Sequence, residues 1–211
     1  MGGPLPAASD VQGLYPLLTP TDYFASDNTR PAMRVIVHPL VPGLEVALVW
    51  EAKEPTEAMP NSSAGLIRSV NESDLGRWKI GPERAWVVAL DNLMNAARRG
   101  RIVAGWYGAD AKNGKLMIWQ GSWLAASCIL LPGLWQMASG TVQSKHLLAA
   151  IPHRDVLVIL PDDEESREKT APFVREAEQE GRKPISRRLV RILPGVDKPF
   201  YEQPPIEWAD V

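Results

Sequence analysis

Residues 44–51 alternate strongly enough to fix their local structure: Leu44, Val46, Leu48 and Trp50 are large and apolar, while Glu45 and Glu51 fall in the other phase. A period of two places the first set on one face of a strand. Residues 33–38 form a second apolar run, and Pro42-Gly43 supplies the turn between them, which predicts an antiparallel hairpin. Residues 52–77, rich in Glu, Pro, Asn and Ser, read as a long surface loop.

The period changes to 3.6 over residues 82–99. Trp86, Ala89, Leu90, Leu93, Ala96 and Ala97 share one side of a helix, Arg84, Asp91, Asn95 and Arg98 lie opposite, and Asn92 falls at the border. Pro82 suits a first helical position, Arg98 and Arg99 suit the negative end, and Gly100 can close it. Residues 101–107 and 115–119 predict two strands joined at Asn113-Gly114. A small-residue segment, 123–131, leads to a short helix bounded by Pro132 and Gly140.

Residues 146–151 and 156–160 are almost continuously apolar, which predicts a central hairpin covered on both faces and turning at Pro152-His153-Arg154-Asp155. Asp162 and Glu165 have capping-box spacing for a helix that Pro172 must kink or divide, and residues 185–193 read as a last strand. Prolines crowd the two ends. The chain therefore reads as one α+β domain over 31–193, a mostly antiparallel sheet with helices on one side, with an arm at 1–30 and a Pro-rich tail at 194–211.

Charge and cysteine content narrow the class. Twenty-three Lys plus Arg against 25 Asp plus Glu leave a net charge of -2, so no overall basic field draws the chain to nucleic acid or an anionic membrane. Cys128 is the sole cysteine, which precludes an internal disulfide and points to the cytoplasm. The first residues have neither the basic nor the apolar region of a signal peptide. No residue between Lys115 and Lys145 is charged, but Pro132, Gly133 and several Ser and Gln interrupt the stretch, so it reads as domain interior and not as a membrane span.

Four short motifs occur in order: Ala89-Leu90-Asp91-Asn92-Leu93, Ala125-Ala126-Ser127, Ala150-Ile151-Pro152-His153-Arg154-Asp155 and Ile185-Ser186. In content and order they resemble the YtpQ-like proteins, a bacterial family of unknown function, over about residues 78–193. The resemblance implies a soluble bacterial α+β protein and carries no activity with it.

The candidate chemistry centres on His153, Arg154 and Asp155, where an imidazole, a guanidinium and a carboxylate share one turn. Arg154 held by Asp155 could bind an anion; equally, the pair could lock the turn through local hydrogen bonds. Ser127, His153 and Asp155 could be cast as a hydrolytic triad, although no Gly-x-Ser-x-Gly elbow surrounds Ser127. Cys128 lacks an adjacent cation and reads as a buried hydrophobe. His38, His146 and His153 lack metal-ligand spacing, and no phosphate-binding glycine loop is present, so neither metal nor cofactor is expected. The basic stretch from Arg182 to Arg191 reads as a charged strand edge. Trp208, isolated among prolines, is placed to dock on its own domain or on a partner.

Two functions compete on these grounds. The preferred one is a non-enzymatic module binding a protein or peptide through the turn and the terminal arms. The other is a small hydrolase or transferase using Arg154 and Asp155 with Asn92 and Ser127; a shared cleft would favour it, and dispersal would favour the module.

Overall fold

The computed structural model describes residues 10–21, 23–24, 35–51, 67–107, 116–180 and 185–209. A 3-10 turn, Asp10–Gly13, leads into β1 Leu14–Pro20, β2 Val37–Val41, β3 Leu44–Glu51 and β4 Ile67–Ser69. Then come α1 Glu72–Trp78, α2 Pro82–Arg98, β5 Val103–Tyr107 and β6 Leu116–Gln120. A 3-10 helix, Ala126–Leu130, precedes α3 Leu134–Val142, β7 Leu147–His153, β8 Val156–Pro161 and α4 Glu164–Glu180. The short strands β9 Val190–Ile192 and β10 Ile206–Trp208 complete the order. The fold is α+β.

The strands form two antiparallel sheets where the sequence reading expected one. The first runs β1-β3-β2, with β4 taking up the far end of β3; the second runs β10-β9-β7-β8-β6-β5. Both feed one core: Leu14, Leu18 and Leu48 from the first sheet cluster with Leu147, Ile151 and Ile159 from the second, and with Trp86, Leu90 and Leu93 from α2. The expected hairpins are present. Gly43 turns between β2 and β3 at φ 92°, a value that suits glycine. The β7–β8 pair is buried along nearly its whole length at the centre of its sheet. The Asn113-Gly114 turn lies outside the described residues.

The largest departure is at the N-terminal end. Residues 14–20, inside the span expected to be an arm, are a buried strand in register with β3 from Leu14↔Trp50 to Pro20↔Leu44. Pro16 and Pro20 hid it, because proline argues against a strand in general but not against an edge strand whose missing N–H groups face away from the sheet. At the other end, residues 206–208 form a ladder with β9, and Phe200 is 1% exposed, so the tail belongs to the core. Pro204 and Pro205 come just before the strand and remove no donor from it.

Smaller differences have local causes. The loop expected at 52–77 contains β4 and α1, the latter started by a capping box between Asn71 and Asp74. At α4 the side chain that caps the helix is Asp163, which accepts the Ser166 N–H at 2.7 Å, while Asp162 is drawn to Arg167 and Arg191. The helix runs unbroken through Pro172, which is exposed, so the carbonyl it orphans can turn to water. The strand expected at 185–193 is confined to Val190–Ile192. Among the described residues no helix is long and apolar enough to cross a membrane.

Candidate functional site

The turn at Arg154-Asp155 is built by the strands it joins. His153 pairs with Val156, leaving two residues in the loop, and the register shifts between Ala150 and His153. Neither loop residue has positive φ, so the turn is not of the primed type usual in two-residue hairpins. The Asp155 N–H donates to His153 Nδ1 at 3.2 Å, and Arg154 Nε lies 3.4 Å from Asp155 Oδ1. Arg154 and Asp155 side chains are each 48% exposed, whereas His153 is buried. The backbone is tied on both sides: the Arg154 carbonyl accepts the Ala126 N–H, and the Pro152 carbonyl accepts the Ile185 N–H. His153, Arg154 and Asp155 thus share a turn held by the Asp155–His153 bond and by backbone bonds to Ala126 and Ile185.

Asn92 and Ser127 have a different task. Along an antiparallel strand, alternate residues direct their N–H and C=O to the same side. The Leu18 N–H donates outward to Ser127 Oγ at 3.1 Å, so residues 14, 16, 18 and 20 present their polar groups to the open side of β1. Pro16 and Pro20 have no N–H to present. The Leu14 carbonyl accepts from Asn92 Nδ2 at 2.9 Å, and the Val11 carbonyl takes the same amide at 3.1 Å. The outer edge of β1 is therefore closed by two prolines, one hydroxyl and one amide. Ser127 is fully buried, with its oxygen engaged, and Asn92 has its amide nitrogen spent on backbone. The four residues of the hydrolase reading divide into two edge seals and an exposed turn. Cys128 is fully buried as well, and burial pushes its thiol up to about 12.

Trp208 docks on its own chain. Its indole N–H donates to the Pro42 carbonyl at 2.9 Å, and Arg188 sits over the ring at 4.4 Å. Arg191, from the same basic stretch, pairs with Glu207 and Asp162; Arg182 and Lys183 lie outside the described residues. Among the described residues no group of three or more His, Cys, Asp or Glu comes together to hold a metal.

The network around Arg101 has no counterpart in the sequence motifs. Its guanidinium grips Glu51 with two hydrogen bonds of 2.5 and 2.6 Å and reaches the Tyr15 hydroxyl at 3.3 Å, and Trp123 Nε1 donates to the same carboxylate at 3.4 Å. The Tyr15 and Trp123 rings meet edge to face with Arg101 near both. The network fixes the segment that enters β5. Only its composition was visible beforehand, because its members come from four separated segments.

The sheet edges at β10, β2 and β5 differ sharply. At β10 the edge is three residues long, follows Pro204-Pro205 and carries Glu207 paired with Arg191. At β2 it contains Pro39. At β5 the sequence is Val-Ala-Gly-Trp-Tyr, without proline or charge, and among the described residues only β6 pairs with it. Val103 is 53% exposed and Trp106 68%. Their neighbours in β6, Met117 to Trp119, are buried.

Comparison with known proteins adds no relative: no family model, no curated protein and no solved structure matches the chain.

Proposed function

We propose that the protein is a non-enzymatic binding module that receives a segment of a partner protein as an added strand along β5. The observation that carries this is the β5 edge, which among the described residues has no partner beyond β6 and exposes Val103 and Trp106, in a chain that closes β1 and β10 with prolines, side-chain bonds and charge. An unpaired edge offers a row of backbone donors and acceptors, and proteins blunt such edges unless pairing is used. Strand addition draws affinity from those groups and selectivity from side chains such as Trp106. The burial of Ser127 and the engagement of Asn92 support binding over catalysis. We place the protein in the cytoplasm on the strength of its single buried cysteine, and its kinship with the YtpQ-like family on the order of the four motifs.

Peptides selected from a displayed library on the whole protein test the reading. The expected peptides slow amide exchange at residues 103–107 and lose at least ten-fold in affinity on Trp106→Lys, an exposed change that leaves the melting temperature in place. Peptides that bind the lysine variant equally well, or protect amides elsewhere only, would remove β5 as the contact.

A further inference from the structure

A groove of about 670 Å³ opens where the first turn of α2 meets the segment before β10, and it shares no residue with β5. Its floor is aromatic. Phe200, 1% exposed, has His38, Trp86 and Tyr201 around it at ring-centroid distances of 5.6, 5.4 and 5.5 Å, each edge to face. His38, Trp86 and Tyr201 line the groove itself. Glu83 and Glu202 stand in its wall, both exposed, and Arg84 is the one guanidinium there.

The electrostatics of this place lean negative. The Tyr201 hydroxyl is pushed up first by burial and then by the charges of Glu202, Glu83 and Asp91. Burial pushes the His38 imidazole down, so the floor is uncharged at neutral pH. Arg84 and the start of α2 together contribute about one and a half positive charges, against the carboxylates of Glu83 and Glu202 in the wall and of Asp91 beyond it. Neither Glu83 nor Glu202 forms an ion pair with a described residue. Aromatic faces attract a cation by their quadrupole, and carboxylates beside them add direct charge attraction.

We propose that this groove binds a small organic cation, an amine or guanidine with apolar carbon behind its charge. The apolar body lies against Trp86 and Tyr201, and the charged end faces Glu83 and Glu202. A volume of this size suits a free small molecule.

Isothermal titration of the full chain with benzylammonium, and with benzyl alcohol and benzoate as neutral and anionic shapes of similar size, decides the matter. The ammonium should bind at least ten-fold more tightly than the alcohol, and benzoate should give no saturable heat. In the double variant Glu83→Gln, Glu202→Gln, that preference should fall below two-fold with the melting temperature unchanged. Equal binding of ammonium and alcohol, a preference that survives the double variant, or no saturable binding by any probe would overturn the proposal. Tighter binding of a blocked arginine tripeptide than of benzylammonium would overturn the small-molecule source.

Discussion

A hydroxyl that looked like a nucleophile works as a strand cap. Ser127 Oγ is the acceptor for a Leu18 N–H that faces away from β3, and both residues are almost wholly buried. Ser127→Ala leaves that donor without a partner where water does not reach, at a cost of about 1–3 kcal/mol. Urea unfolding should show the loss as a lower midpoint with unchanged slope; an unaltered midpoint would mean that the β1 edge does not depend on the hydroxyl. Nothing in the sequence could have assigned this bond, because 109 residues separate its ends. Asn92 reaches across 81 and 78 residues to Val11 and Leu14 in the same way. What the sequence did carry was residue type: a small polar group in an apolar segment, and an amide at the border of a helix face. Both facts are consistent with catalysis and with capping, and only the position of β1 separates them. The turn at 153–155 was more legible, since its bonds run between neighbours.

At the scale of elements, legibility followed length and locality. Helix α2, 17 residues with Pro82 at its start, declares itself by period and ends. Helix α1, seven residues long, is too short for a period to register, and its Asn71–Asp74 box uses Asp where Glu or Gln is the usual sign. Strand β1 was masked by its prolines, which are the means of closing its edge. Asp162 shows how an element boundary serves tertiary structure. Its carboxyl joins α4, through Arg167, to β9, through Arg191. Burial alone would push its pKa up, and the bonds and charges of the two arginines override this and bring it below the ordinary 3.8. A carboxylate lowered on folding contributes fully above the unfolded value and loses that contribution as pH falls through the folded one. Asp162→Asn should thus cost about 1 kcal/mol at pH 7, given that both arginines are partly exposed. The gap between variant and wild type should close as pH falls below about 4. Urea midpoints measured from pH 7 to pH 3 check both the size and the direction; a gap that stays constant with pH would detach the effect from the ionised carboxylate.

For the whole molecule, the decisive contacts come from the segment that sequence assigned to a tail. Phe200 sits among Trp86 of α2, His38 of β2 and Tyr201, Ile206 pairs with Ile192 in the second sheet, and Trp208 bonds the Pro42 carbonyl at the β2–β3 turn of the first. The segment thereby joins both sheets and α2 across the common core. Proline content marked the segment as a tail, but composition could not say that it turns at Pro199, where the Glu202 and Gln203 N–H groups donate to the Pro199 carbonyl, or that the core has a place for Phe200. Truncating one buried phenylalanine costs about 3–5 kcal/mol, against a total stability of about 5–15 kcal/mol for a typical domain. Phe200→Ala should therefore unfold cooperatively at a clearly lower temperature. A chain ending at residue 198 loses Phe200, Ile206 and Trp208 together and exposes the groove faces of Trp86 and His38, so its loss should exceed the margin and leave no cooperative transition. Thermal melts followed by near-ultraviolet circular dichroism, which reads the packing of tryptophans, separate the two outcomes. If the shortened chain melts cooperatively close to the full-length protein, the sheets are held together without the segment, and its role is that of a detachable strap.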